Sequence, residues 1–317
     1  MPDKTLVWRN PLSGRQVLFA PQRAARPIDA DEDPKTCPFC PGNEHMLPSV
    51  LCERPADDAR PWATRAVPNK FPLVRPGARD DDLAHGCHEV IIETPYHGRD
   101  LTQLSGRALQ DVVAMYCHRF SLLARDHQTV ALFRNQGRRA GASQSHAHAQ
   151  IVAFDGIPDD IDATALRARN YYERHGECVI CSIVAAEADA EDRVVVARGS
   201  FIAFVPLVAE APYDVWLTAQ AHPDGFGAMD QPAQHDFAMI LKDVLGRLSR
   251  ALDDPDFCFG IVGVSHPRRE DHVHHWVMRI RPVLTTPGGL ELVTGLSINP
   301  STPEDDAAAL RLAGSIQ

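Results

Sequence analysis

Apolar residues fall in short runs separated by proline, glycine and asparagine, with two longer stretches of helical spacing. Leu6-Val7-Trp8 and Val17-Leu18-Phe19 flank Asn10-Pro11 and Ser13-Gly14, which is turn chemistry, so a hairpin is expected over residues 6–20. Glu89 to Ile92 reads as a strand. Leu109, Val112, Val113, Tyr116, Phe120 and Leu123 recur at helical spacing, predicting a helix over 101–125 with Thr102 or Ser105 as its cap. Val130-Ala131-Leu132-Phe133 and the run around Ile151-Val152 predict two strands joined by a glycine-containing loop. Residues 158–173, charged and alanine-rich, read as helix and linker. Strand-like runs then surround Ser200-Phe201, Val215-Trp216-Leu217 and Gly260 to Val264, with another over 271–280. An amphipathic helix is expected from Gln231 to Leu252, and a terminal helix from Pro303 to Leu312.

This order repeats itself. Each half runs Cys-x-x-Cys, strand, histidine, helix, strand, and a histidine-bearing strand. Overlaying the halves puts His275 on His146, Val277 on His148 and Arg279 on Gln150. Valine is no nucleophile, so one half is expected to be catalytic and the other supporting. The expected units are 1–165 and 166–317.

Composition narrows the classes. The chain has 317 residues, 44 % of them hydrophobic, with a net charge of −10. A nucleic-acid binder dominated by phosphate contacts is disfavoured, although a few arginines could still line a small phosphate site. No apolar run reaches membrane-spanning length, and Met1-Pro2-Asp3-Lys4 does not begin a secretory signal, so a cytoplasmic location is expected. Four of the eight cysteines form two pairs, Cys37/Cys40 and Cys178/Cys181. Metal binding or redox chemistry then outweighs a disulfide framework. A thioredoxin-like motif needs a strand before and a long helix after, which the pattern around Cys37 lacks. A metal knuckle is favoured, since Pro38, Pro41 and Gly42 turn both thiolates to one point. Cys52, Cys87, Cys117 and Cys258 read as ordinary core or near-core residues.

The chemistry concentrates in Ser143-Gln144-Ser145-His146-Ala147-His148-Ala149-Gln150. In a strand, alternate residues share a face about 6.5–7 Å apart. His146, His148 and Gln150 then line one face, and the small Ala147 and Ala149 let another layer pack behind. With Asn135-Gln136-Gly137 and Gly141-Ala142-Ser143 before it, this strand resembles the galactose-1-phosphate uridylyltransferase branch of the histidine-triad (HIT) superfamily. The serine-first form with alanines is closer to the ADP-glucose phosphorylase relatives of that branch. The resemblance spans nearly the whole chain.

It implies an α+β fold of two tandem HIT-like units, each an antiparallel sheet with packed helices, and a homodimer. It implies His148 as nucleophile, assisted by Gln150 and Ser143, with Asn135, Gly137 and Gly141 in the phosphate loop. Arg23 and Arg26 match arginines that reach phosphates, for which guanidinium groups are suited. Asn69 matches a nucleotide contact, although Lys70 follows it where the family's transferases may have aspartate. Glu291 matches a sugar-binding glutamate, with Leu290 where an aromatic is common. The first zinc site would be Cys37, Cys40, His97 and His146, with His45 and His88 as competing ligands. A second would be Cys178, Cys181, His222 and His275, with His274 in place of His275, or a metal-free second half, as alternatives. Four protein ligands close a site, so the zinc would be structural and would aim His148 through His146.

The implied reaction is attack of His148 on the α-phosphorus of a nucleoside diphosphate sugar, giving a nucleotidyl-histidine that a second phosphate then resolves. Uridylyl transfer between UDP-glucose and a hexose 1-phosphate is the leading activity. Phosphorolysis of an ADP-sugar is the runner-up, and a nucleotide-binding protein without chemistry is the reading of another class.

Overall fold

Ten strands form one continuous sheet among the described residues, and every neighbouring pair in it is antiparallel. The computed structural model describes residues 5–25, 33–56, 60–77, 82–264 and 273–315. The first half of the chain supplies β3 (Cys52–Arg54), β4 (Thr64–Pro68), β5 (Gly86–Ile92), β6 (Thr129–Gln136) and β7 (His148–Phe154). The second supplies β8 (Val194–Arg198), β9 (Phe201–Phe204), β10 (Val215–Ala219), β11 (Phe257–Val264) and β12 (Met278–Pro282). Strand order is β3-β4-β5-β7-β6-β11-β12-β10-β9-β8. Outward from the β6/β11 seam, each side therefore runs in the same sequence of equivalent strands. The expectation of one sheet per unit is corrected here. β6 and β11 pair along their full length, from Thr129 opposite Val264 to Gln136 opposite Phe257, and fuse the two sheets.

The hairpin of β1 (Leu6–Arg9) and β2 (Gln16–Phe19) stands apart as its own two-stranded sheet. Its turn is closed by the Asn10 side chain, which accepts from the amides of Leu12 and Ser13.

Two long helices cover one face of the large sheet. Helix α1 (Gly106–Leu123) is capped by Ser105, whose hydroxyl accepts from Ala108 N–H at 3.2 Å. The predicted helix over 101–125 is thus shorter at its start. Leu101–Gln103 is a separate 3-10 turn with Asp100 as its own cap. Helix α4 (Gln231–Leu252) is capped by Asp230 and bounded where its pattern predicts. Its Phe237, Ile240, Leu241, Val244, Leu245 and Leu248 join α1 and the undersides of both sets of strands in one core. Ala149, Ile151 and Ala153 of β7 face that core. The small alanines permit the close packing inferred for them.

The remaining helices are α2 (Asp159–His175), α3 (Val179–Ala190), α5 (Gly289–Thr294) and α6 (Pro303–Gly314). Cys178 and Cys181 sit at the cap and first turn of α3. One correction concerns the second half of the chain. The strand expected over 271–280 begins only at Met278; residues 273–277 are irregular, and 271–272 lie outside the described residues. No described helix is long and apolar enough to cross a membrane.

Candidate functional site

The face of β5 and β7 opposite the long helices carries the chemistry. Antiparallel register sets Ile92 opposite His148, Val90 opposite Gln150 and His88 opposite Val152. Directly opposed residues share a face. His148 and Gln150 therefore join His88, Val90 and Ile92 on one surface. Above it lies a cavity of about 290 Å³, lined by Phe39, Leu47, Asn69, Phe71, Ser143, His148 and Gln150 among others. Its walls are mainly apolar, from Phe39, Met46, Leu47, Val67, Phe71 and Val90. The polar groups converge at the β7 end.

His148 is buried, and its Nδ1 lies 2.9 Å from the carbonyl oxygen of His146. A carbonyl only accepts, so Nδ1 carries the proton and Nε2 keeps its lone pair. The Phe39 ring stands 5.4 Å from the His148 ring and limits its movement. Gln150 is buried too, and its Oε1 meets Asn69 Nδ2 at 3.2 Å and His88 Nε2 at 3.0 Å.

His146 leaves the row at its base and joins a metal-ligating cluster. Ligand atoms of Cys37, Cys40, His97 and His146 all lie within 4.8 Å of one another. His146 Nδ1 is 3.5 Å from Cys37 Sγ and 3.6 Å from Cys40 Sγ; His97 Nδ1 is 3.4 Å from Cys40 Sγ. The opposite nitrogen of His146 donates to the Thr94 carbonyl at 2.7 Å. That bond fixes the tautomer with a bare Nδ1 facing the sulfurs, as a ligating histidine requires. Burial, then the neighbouring Cys37, pushes the Cys40 thiol up to about 12. Burial holds His146 down at about 4. Two buried thiols and two imidazoles converging with lone pairs inward fit a dipositive ion with tetrahedral preference. His45 and His88 lie outside this group.

Cys178, Cys181, His222 and His275 form a second such cluster. Cys181 Sγ is 3.5 Å from His222 Nδ1 and 3.4 Å from His275 Nδ1. His275 rather than His274 is the member. This set is looser. His222 is exposed, and His275 Nε2 is buried near the Ala219 backbone without a hydrogen bond of normal geometry. Above it, Val277 and Arg279 stand where His148 and Gln150 stand in the first unit. Arg279 and Arg281 each meet the buried Asp214 at 2.8 Å, and Arg279 lies over the Trp216 ring. Ion pairs occupy that face.

The other expected residues divide. Ser143 and Asn69 line the cavity. In the loop before β7, Gly137 has φ +80°, and a Cβ there would meet Asp256 Oδ1 at 1.9 Å. Glycine is needed for the loop to turn against Asp256, which also accepts from Arg139 N–H. Gly141 N–H donates to Arg138 O and Ala142 N–H to Gly137 O, so these two amides are held within the loop. Asn135 lies on β6 opposite Cys258, its amide beside Gly141. Arg23 Nη1 donates to Phe71 O at 2.7 Å and so braces the cavity wall. Arg26 lies outside the described residues. Glu291 is absent from the cavity lining and caps its own helix, bonding the amides of Gly288 and Ile298.

His88 and Phe39 are the residues that sequence reasoning placed wrongly or missed. His88 was open only as a metal ligand, yet its two-residue spacing from Val90 and Ile92 already set it on the site face.

Residues 80–158 match the family model for the N-terminal domain of galactose-1-phosphate uridyl transferase. An ADP-glucose phosphorylase of Arabidopsis thaliana is 29 % identical over 96 % of this chain and 91 % of its own length. A galactose-1-phosphate uridylyltransferase of Thermotoga maritima is 26 % identical over 95 % of this chain and 96 % of its own. The crystal structure of an ADP-glucose phosphorylase from Arabidopsis thaliana with bound ADP-glucose superimposes with a TM-score of 0.79 at 29 % identity, covering 97 % of this chain and 98 % of that one. A matching family model over β5 to β7 and similarity along nearly the whole chain to both enzymes join the geometry of the triad strand: the chain is similar to galactose-1-phosphate uridylyltransferases and to ADP-glucose phosphorylase.

Proposed function

We propose that this protein is a nucleotidyltransferase in which His148 carries the nucleotide between two phosphates, with UDP-glucose and a hexose 1-phosphate as its substrates. The observation that carries the reading is the hydrogen bond from His148 Nδ1–H to the His146 carbonyl, which leaves Nε2 unprotonated beside a cavity lined by Ser143 and Gln150. In the first step, the Nε2 lone pair forms a bond to the α-phosphorus, and the bond from that phosphorus to the bridging oxygen breaks. The sugar 1-phosphate leaves with the electron pair. In the second step, a phosphate oxygen of the acceptor attacks the same phosphorus and His148 departs. The Gln150 amide and the Ser143 hydroxyl, which line the cavity with His148, would donate to the phosphoryl oxygens as charge shifts onto them. Gln150 supplies no acid for a leaving group. A departing phosphate needs little protonation, so transfer between phosphates suits this site better than hydrolysis.

The apolar walls around Phe39, Leu47 and Phe71 suit a base, with Asn69 and Lys70 near the ribose. Arg23, Arg26 and the loop of Asn135, Gly137 and Gly141 are assigned to the phosphates; Glu291, whose carboxylate accepts from Gly288 and Ile298 N–H outside the cavity lining, would reach the sugar only by giving up those bonds. Cys37, Cys40, His97 and His146 would hold one zinc ion, and Cys178, Cys181, His222 and His275 a second. Bound zinc supplies rigidity rather than a reacting group, since four protein ligands leave no open position. The mirrored strand order supports two HIT-like units, 1–165 and 166–317, sharing one sheet with a boundary inside α2.

A second reading, phosphorolysis of an ADP-sugar, is favoured by the full-length similarity to ADP-glucose phosphorylase. Inorganic phosphate would then be the acceptor at the same histidine. Steady-state kinetics with UDP-glucose and ADP-glucose, each against galactose 1-phosphate and phosphate, separate the two. Both readings predict ping-pong patterns and loss of turnover in His148→Gly. Full turnover by that variant without added imidazole would overturn both.

A further inference from the structure

We propose that His88 is a positioning residue for the transfer step, holding the Gln150 carboxamide in the one orientation that offers its –NH2 to the phosphoryl group. This rests on the nucleotidyl-transfer reading above. The argument begins with two main-chain donors of the loop between β4 and β5. Leu73 N–H donates to His88 Nδ1 at 2.9 Å. A backbone amide cannot accept, so His88 is neutral and its proton sits on Nε2. Phe71 N–H donates to Asn69 Oδ1 at 2.8 Å, which turns Asn69 Nδ2 the other way.

Both outward groups, His88 Nε2–H and Asn69 Nδ2–H, are therefore donors, and both converge on Gln150, at 3.0 and 3.2 Å. Only the carbonyl end of the carboxamide can meet two donors. Flipping Gln150 would set its –NH2 against them and leave buried donors unpaired, a costly arrangement. Oε1 thus faces both donors, which stand 3.1 Å from each other on one side of it, and the amide nitrogen is turned away from them as the donor for a ligand. His88 is buried on β5, well placed for this and outside both metal-ligating clusters. A glutamine alone in this position has two nearly equal faces; with His88 and Asn69 it has one.

The test uses the full chain with two variants that separate the bond at Nδ1 from the bond to Gln150. His88→Asn keeps an acceptor near Nδ1 for Leu73 N–H but has no donor at the Nε2 position. His88→Gln puts an amide donor near Nε2. In a rapid-quench measurement of nucleotide loading onto His148 from the nucleotide sugar that the wild type uses, His88→Asn should slow loading by about 100-fold, the cost of a misplaced group. The KM for that sugar should change little, and His88→Gln should recover much of the rate. Heteronuclear NMR of the ring nitrogens should find the His88 proton on Nε2. Wild-type loading by His88→Asn, equal losses in both variants, or a proton on Nδ1 would each overturn the proposal. If the wild type loads no nucleotide at all, the transfer reading itself fails, and the tautomer measured by NMR still decides the geometry claimed here.

Discussion

The main-chain carbonyl of His146 accepts the Nδ1–H of His148 at 2.9 Å, while the ring of the same His146 turns its own bare Nδ1 to Cys37 and Cys40. One residue thereby sets the tautomer of its neighbour through the backbone and anchors the strand through its side chain. Whatever holds that ring also holds the backbone bond that puts the His148 proton on Nδ1.

The first prediction concerns that anchor. Replacing Cys40 with serine, or removing metal with a strong chelator, should lower activity by at least about tenfold, because the ligands that fix His146 are lost. Metal content should fall by one equivalent per chain. Since burial pushes the Cys40 thiol up to about 12, metal uptake must displace protons, and affinity should weaken as pH falls. Elemental analysis with parallel rate measurements checks this; full activity without metal would contradict it.

The second cluster should behave differently. Cys181→Ala removes a ligand far from any nucleophile, since Val277 stands where His148 does in the other unit. Metal content should drop by one while nucleotide loading of His148 is retained, and thermal stability should fall. A loss of loading equal to that of the Cys40 variant would show that the second site is coupled to the chemistry.

A third prediction addresses the buried network behind the site. Arg134 and Glu93 form an ion pair at 2.9 Å, both fully buried, with Tyr116 also bonded to Glu93 and Asp100 to Arg134. Arg134→Met leaves the Glu93 carboxylate without its cation. The expected destabilisation is about 3–5 kcal/mol by urea unfolding. Arg134→Met with Glu93→Leu should recover part of it, because the unpaired charge goes too.

Acid dependence should have one local source at the far end of β7. Burial alone would raise the Asp155 carboxyl, but hydrogen bonds from His127 and His85 outweigh it and hold the group low. A carboxyl lowered by folding stabilises the protein above its unfolded value, about 3.9, and that contribution is lost as pH falls through the folded value. The wild type should therefore lose stability below about pH 4 more steeply than Asp155→Asn. Urea midpoints measured across the acid range decide this; parallel curves would contradict it.

Much of the architecture was legible because its signals are local. Periodicity located α1 and α4, and turn residues located the β1–β2 hairpin. The repeat of Cys-x-x-Cys and histidine anticipated both ligand clusters, since each member is a chemically distinctive residue. What escaped depends on pairing between distant strands. Nothing in β6 or β11 alone announces that they fuse two sheets into one. The part His88 plays follows from the register of β5 against β7 and from a loop amide, neither of which a single segment encodes. Glu291, read by likeness, caps its own helix, a local role that its position after Gly288 also suits.

The most direct test is to incubate the protein with UDP-glucose or ADP-glucose, without acceptor, and weigh it intact by mass spectrometry. The account predicts a mass increase of one nucleoside monophosphate, localised by peptide mapping to His148 and removed when a sugar 1-phosphate or phosphate is added. No adduct with either nucleotide sugar under conditions of turnover, or an adduct that survives in His148→Gly, would contradict it.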